Sequence, residues 1–170
     1  MKEGRKVLFI DVAKDNLDAP VGEGIKNYVD LPPECGKPGK CGLLNFWLYG
    51  MRPASHGWQE EYTKQLEAMG FVAGVASPCC FYRKSDDVCC VVHGDDFTML
   101  GSRSGLDWFK GRIGNKFEIK YKGRMGERDT DMKSVRILNR AATMTTAGIE
   151  YESDQRHAEI IVKQMGQLPG

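Results

Sequence analysis

Residues 88–101, Val-Cys-Cys-Val-Val-His-Gly-Asp-Asp-Phe-Thr-Met-Leu-Gly, constrain the fold more than any other stretch of the chain. Val88 to Val92 is a β-branched and cysteine run of strand length, and Phe97 to Leu100 is a second. Gly94 and Asp95 supply turn chemistry between them, so the segment predicts strand, tight turn, strand. Two adjacent acids, Asp95 and Asp96, stand at that turn. Asp and Gly are common in turns for conformational reasons alone. The pair therefore has a plain structural reading and a chemical one, and the rest of the chain has to choose.

A length of 170 residues is enough for one domain, or one domain with an appendage. With 41% hydrophobic and 28% charged residues, the composition is that of a soluble globular chain able to bury a core. A net charge of +1 provides no global basic field that would announce a nucleic-acid partner. Locally, Lys110, Arg112, Lys116, Lys120, Lys122 and Arg124 form a basic run, which reads as a solvated face or as a binding surface. Met1 is followed by charged residues, and the apolar run Val7 to Ile10 is too short for a signal sequence or a membrane span. The expectation is an intracellular chain that is not secreted and has no membrane partner, its compartment otherwise open. The six cysteines then read as reduced thiols. Cys35 and Cys41 lack a second pair at zinc-finger spacing, and adjacent cysteines on a strand point to opposite faces.

Lys6 to Val12 predicts a buried strand ending near Asp11. The Gly- and Pro-rich segment after it predicts a loop with a short strand at Tyr28 to Leu31. Leu43 to Met51 fits either helix or strand. From Ser55, the residues Trp58, Tyr62, Leu66 and Met69 recur along one helical face, with Gly70 as the stop. Phe71 to Lys84 is strand-like around Pro78. Ser104 is the expected N-cap of a second helix carrying Leu106, Phe109 and Ile113. Phe117 to Tyr121 alternates like an exposed strand, and residues 134–153 predict two strands around Gly148. A last helix has Asp154 as its expected cap, Ala158, Ile161, Val162 and Met165 on one face, and Gly166 as its end. This order of elements predicts an α+β fold with an antiparallel sheet.

Asp11 ends one buried strand and Asp95-Asp96 sit at the turn of a hairpin, and in an antiparallel sheet such ends can lie side by side. Three carboxylates at one edge repel one another unless something neutralises them. Mg²⁺ does so with oxygen ligands while keeping room for waters and phosphates. Two such ions roughly 3.5–4 Å apart can activate a hydroxyl and stabilise a leaving pyrophosphate. Asp11 taken alone is equally a solvated strand end.

In order and at fitting intervals, "FIDVAKDNLDAP…YVDLPPE", "LYGMRPASHGWQEEYTKQLEAMGF", "SPCCFYRK" and "VVHGDDFTMLG" resemble the reverse transcriptase of copia-type retrotransposons. "KFEIKYKGRMG" and "GIEYESDQRHAEIIVKQMG" are similar to the segments that follow in that family, so the resemblance runs from Val7 to about Gly166. It implies a polymerase palm, an antiparallel sheet backed by helices. Residues 1–125 would form the palm, and residues 126–170 would continue the domain as C-terminal strands and a helix, a partial thumb or connection. It implies that Asp11, Asp95 and Asp96 are catalytic metal ligands for Mg²⁺ or Mn²⁺, with Val12 able to offer a backbone carbonyl. Tyr49, Gly50, Ala54 and Trp58 match the block beside template and incoming nucleotide, although Trp58 fits plain core on its helix equally well. Asn16 stands where the family has an aromatic that closes the sugar pocket, with Asp15 beside it. His93-Gly94 replaces Tyr-Val, and Pro53 replaces a Gln. His93 could titrate beside the acids, but a hydrogen-bonded or core histidine is its ordinary role.

The implied activity is RNA-directed DNA polymerisation, a two-metal nucleotidyl transfer onto a primer 3′-OH. The implied partners are RNA or DNA primer-template, dNTPs and the rest of the Pol polyprotein: fingers, RNase H and integrase. Only ten residues precede Asp11, so the resemblance implies a palm fragment whose fingers are missing. The alternative is a degenerate, catalytically inactive retrotransposon remnant that folds and binds nucleic acid weakly.

Overall fold

A strand that is apolar at nearly every position has to be covered on both faces, and the first strand of this chain organises the fold for that reason. The computed structural model describes residues 4–13, 19–138, 140–152 and 155–166. Strand β1 (Lys6–Val12) directs Leu8, Ile10 and Val12 to one side and Val7 and Phe9 to the other. It lies in a six-stranded sheet with β4 (Val72–Ala73), β5 (Cys80–Arg83), β6 (Val88–His93), β7 (Asp96–Gly101) and β8 (Ile119–Met125), in the order β4-β5-β6-β7-β1-β8. Every pairing in this sheet is antiparallel. The expected hairpin is β6-turn-β7, with His93 opposite Asp96.

Helices α1 (Ala54–Ala68) and α2 (Arg103–Gly114) cover one face of the sheet. Trp58, Tyr62 and Leu66 of α1 and Leu106, Phe109 and Ile113 of α2 join Leu8, Ile10, Phe97 and Met99 in one core. Each fully buried side chain of this size stabilises the fold by about 1.5–3 kcal/mol relative to exposure. Aromatic edges add to it: Trp58 meets Phe117 at 5.0 Å and Tyr62 meets Phe97 at 6.0 Å, both T-shaped.

A three-stranded sheet covers part of the opposite face. It consists of β9 (Ser134–Ile137), β10 (Arg140–Thr145) and β11 (Gly148–Tyr151) in the order β11-β10-β9. Its Ala142 joins Val7, Phe9 and Met125, with Val135, Ile137, Met144 and Leu100 packed around them. Lys6 fastens the start of β1 to the loop before this sheet. Its Nζ reaches both carboxylate oxygens of Asp131 at 2.5 Å, and each side chain is only 7% exposed. A short ribbon of β2 (Tyr28–Val29) and β3 (Gly42–Leu43) stands apart from both sheets. Helix α3 (Gln155–Gln164) follows, with Ile160 and Ile161 exposed. The fold is therefore α+β with a mostly antiparallel sheet and, among the described residues, three helices.

Several local expectations shift. The N-cap of α2 is Ser102, whose hydroxyl accepts from the Gly105 N–H at 3.2 Å, while Ser104 lies within the first turn. The segment after residue 133 makes three strands rather than two, because the chain reverses at Leu138, which takes φ +48°. Leu43 ends β3, and the rest of the segment to Met51 is neither helix nor extended strand. Trp47 N–H bonds to the Ala19 carbonyl at 3.0 Å, and Phe46 bridges Pro20. The strand expected over Phe117 to Tyr121 starts at Ile119 and runs on to Met125. Asp154 lies outside the described residues. The six cysteines are free thiols.

Candidate functional site

Register makes the site. β1 and β7 pair antiparallel with Lys6 opposite Gly101, and counting along the pair brings Asp11 opposite Asp96. Asp11 alternates with Leu8, Ile10 and Val12, which face the helices, so it belongs to the sheet face that the helices leave open. Asp96 shares that face by the same alternation, since Phe97 and Met99 are in the helix-side core. Two carboxylates thus stand directly across a strand pair, an arrangement that costs energy unless a cation lies between them.

The cation is a lysine. Lys122 Nζ donates to Asp96 Oδ1 at 2.6 Å and lies 2.8 Å from Asp11 Oδ2. Lys120, opposite Asp11 in the β1–β8 register, approaches Asp11 Oδ1 more loosely at 4.0 Å. Burial pulls the Lys122 ammonium down. The hydrogen bonds and charges of Asp11 and Asp96 outweigh that, and the group ends above the ordinary lysine range. Lys122 reaches this position through a β-bulge. The β1–β8 register shifts between Phe9 and Ile10, which pair with Gly123 and Tyr121, and Lys122 is the extra residue. Gly123 completes the bulge at φ +138°, and a Cβ there would collide with the Met132 thioether.

Asp95 is in the β6–β7 turn beside this pair. Its carbonyl accepts from the Val12 N–H at 2.9 Å, so the turn is tied to the end of β1. A second tie comes from α1. The Trp58 indole N–H donates to the Gly94 carbonyl at 2.8 Å, while the ring, 2% exposed, lies in the core against Phe97 and Phe117. Gly94 takes φ +61°, which the tight turn requires.

The structure gathers Asp11, Val12, Asp95, Asp96 and Trp58 at one end of the sheet. Ala54 is buried at the start of α1. Tyr49 is exposed, beside Gly50 at φ +83°. Asn16 and Asp15 lie outside the described residues. Among the described residues no group of three or more His, Cys, Asp or Glu is disposed to hold a metal ion. The oxygen donors of Asp11 and Asp96 do converge on one cation, Lys122, which suits a hard divalent ion in the same place. That lysine was visible in the sequence only as one member of a basic run.

The run itself is divided. Lys110 lies over the Tyr121 ring at 4.1 Å, Arg124 pairs with Asp107, and Lys120 and Lys122 turn to the acids. Arg112 and Lys116 instead line a cleft between α1 and α2 with Trp108 and Arg83. Among the described residues no helix is long and apolar enough to cross a membrane. The chain matches no protein-family model, and no curated protein is significantly similar to it.

Proposed function

We propose that the chain is the palm portion of a copia-type RNA-directed DNA polymerase, working on primer-template and dNTPs with the rest of a Pol polyprotein. The observation that carries this reading is the facing pair Asp11 and Asp96, with the Asp95 turn hydrogen-bonded to the neighbouring Val12. The register brings Asp11 opposite Asp96 and the Asp95 backbone to Val12 although 84 positions separate Asp11 from Asp95. When bound, Mg²⁺ or Mn²⁺ would neutralise those acids, activate a primer hydroxyl and stabilise the leaving pyrophosphate. The chain's own residues do the positioning. Asp11 and Asp96 would hold the ion from adjacent strands, and Asp95 from the turn. Val12 and Trp58 fix that turn through its carbonyls, so the acids do not depend on a free loop.

A second reading, a folded remnant without catalysis, is favoured by one observation: Lys122 already bridges Asp11 and Asp96. Primer extension on RNA and DNA templates, with Mg²⁺ or Mn²⁺, separates the two. Product that vanishes in both Asp95→Asn and Asp96→Asn supports the polymerase. Primer-template that binds but is never extended at any metal concentration leaves the remnant.

A further inference from the structure

We infer that Lys122 is the resident counter-ion of the Asp11–Asp96 pair and sets its divalent affinity, so that a metal ion binds there only by displacing this ammonium. The inference rests on the site of the proposed function but not on polymerase activity. Lys122 Nζ lies within 2.8 Å of an oxygen from each acid, where a bridging cation would sit. An ion coordinated by those two oxygens and the ammonium cannot occupy one place together. Hydrogen bonds between ionised partners are the strong ones, so the lysine is a real competitor.

It is also a competitor that can leave. The Lys122 side chain is 40% exposed, against 17% for Asp11 and 25% for Asp96, so it can swing to water on its long stem while the acids stay with the sheet. Lys120 does not have the same hold, being 72% exposed and 4.0 Å from one acid only. The bulge gives Lys122 its reach. Were the β1–β8 ladder regular, no extra residue would stand between Tyr121 and Gly123 to aim at the pair.

The test is Mn²⁺ binding to the full chain, read from the loss of the free-ion paramagnetic resonance signal. Lys122→Met should bind Mn²⁺ roughly tenfold or more tightly than wild type, a difference of about 1.4 kcal/mol. Lys122→Arg, which keeps the charge, should stay close to wild type. Lys122→Met combined with Asp96→Asn should lose the gain, which assigns the ion to this pair. Equal affinity of wild type and folded Lys122→Met overturns the inference.

If Lys122→Met does not fold, acetylation of wild-type lysines followed by mass spectrometry decides instead. Saturating Mn²⁺ should speed labelling of Lys122 severalfold while leaving Lys116 unchanged, and an unaltered Lys122 rate overturns the inference. Tighter binding in Lys122→Met without primer extension by wild type removes the polymerase and leaves the counter-ion. Metal-dependent extension by wild type without that gain does the reverse.

Discussion

Trp58 carries two duties at once, and replacing it with Phe separates them from the rest of the core. The indole N–H donates to the Gly94 carbonyl at 2.8 Å, and the ring is 2% exposed between Phe97, Phe117 and Tyr62. Gly94 is exposed, so water can take over its carbonyl and the lost hydrogen bond costs only about 1 kcal/mol. The smaller ring forfeits packed surface and leaves a void that the aromatic neighbours fill incompletely, a further 1–2 kcal/mol or about that. Trp58→Phe should therefore destabilise the chain by roughly 2–3 kcal/mol, a sizeable part of the about 5–15 kcal/mol that holds a domain folded. For a chain of 170 residues that is a fall in melting temperature of about 4–12 °C. Urea denaturation, with the slope unchanged, measures it. Amide exchange gives a second readout: the Val12 N–H, bonded to the Asp95 carbonyl in the same turn, should exchange faster in the variant. A loss below about 0.5 kcal/mol, within the range of a neutral surface change, would refute the placement of the indole in the core.

The ion pair of Lys6 and Asp131 gives a pH-dependent outcome. Burial pushes the Asp131 carboxyl up, but Lys6, the Arg128 N–H and nearby charge together hold it below the usual range. A depressed folded value means stability that is full above the unfolded carboxylate pKa of about 3.9 and is lost as pH falls through the lower folded value. Asp131→Asn should cost on the order of 3 kcal/mol at pH 7 by stranding Lys6, and the deficit should shrink below about pH 4. A deficit that does not change between pH 7 and pH 3 in chemical denaturation removes the pair from the account. Gly57→Ala is a helix-favouring change worth up to about 1 kcal/mol on an open helix. Here the new Cβ would collide with the Trp47 indole, so a net loss of about 1–3 kcal/mol is expected, and a stabilised variant would show that Trp47 yields freely.

What could be read from the sequence followed from periodicity. The β6–β7 hairpin was legible because two apolar runs of strand length flank Gly94-Asp95, which marks the reversal. Helix α1 was legible because Trp58, Tyr62 and Leu66 fall every four residues, and all three are buried. The β9–β10 reversal was not, because Leu138 takes a left-handed conformation with neither Gly nor Pro at that position to signal it. The N-cap of α2 was misplaced by two residues because Ser102 and Ser104 carry the same chemistry, and only the fold says which one closes the first turn.

The acids were legible and their partner was not, for a physical reason. Asp11, Asp95 and Asp96 announce themselves as residues at strand ends, where carboxylates are costly beside one another. A lysine in a basic run announces nothing, since solvated lysines are ordinary on any surface. Its role depends on a bulge, and a bulge depends on two strands being out of step by one residue, which neither strand records alone. Once the register is known, the local charge follows. At this end of the sheet Lys122 bridges Asp11 and Asp96, and Lys120 stands 4.0 Å from Asp11, so two carboxylates meet two ammonium groups. On the counter-ion inference, such a site should attract a divalent ion only weakly while both lysines remain. By the same inference it should attract one far more strongly when Lys122 turns to water, because that motion frees two oxygens and removes a positive charge. On the counter-ion inference, Lys122 decides between a pair of carboxylates bridged by their own lysine and a pair open to a metal ion.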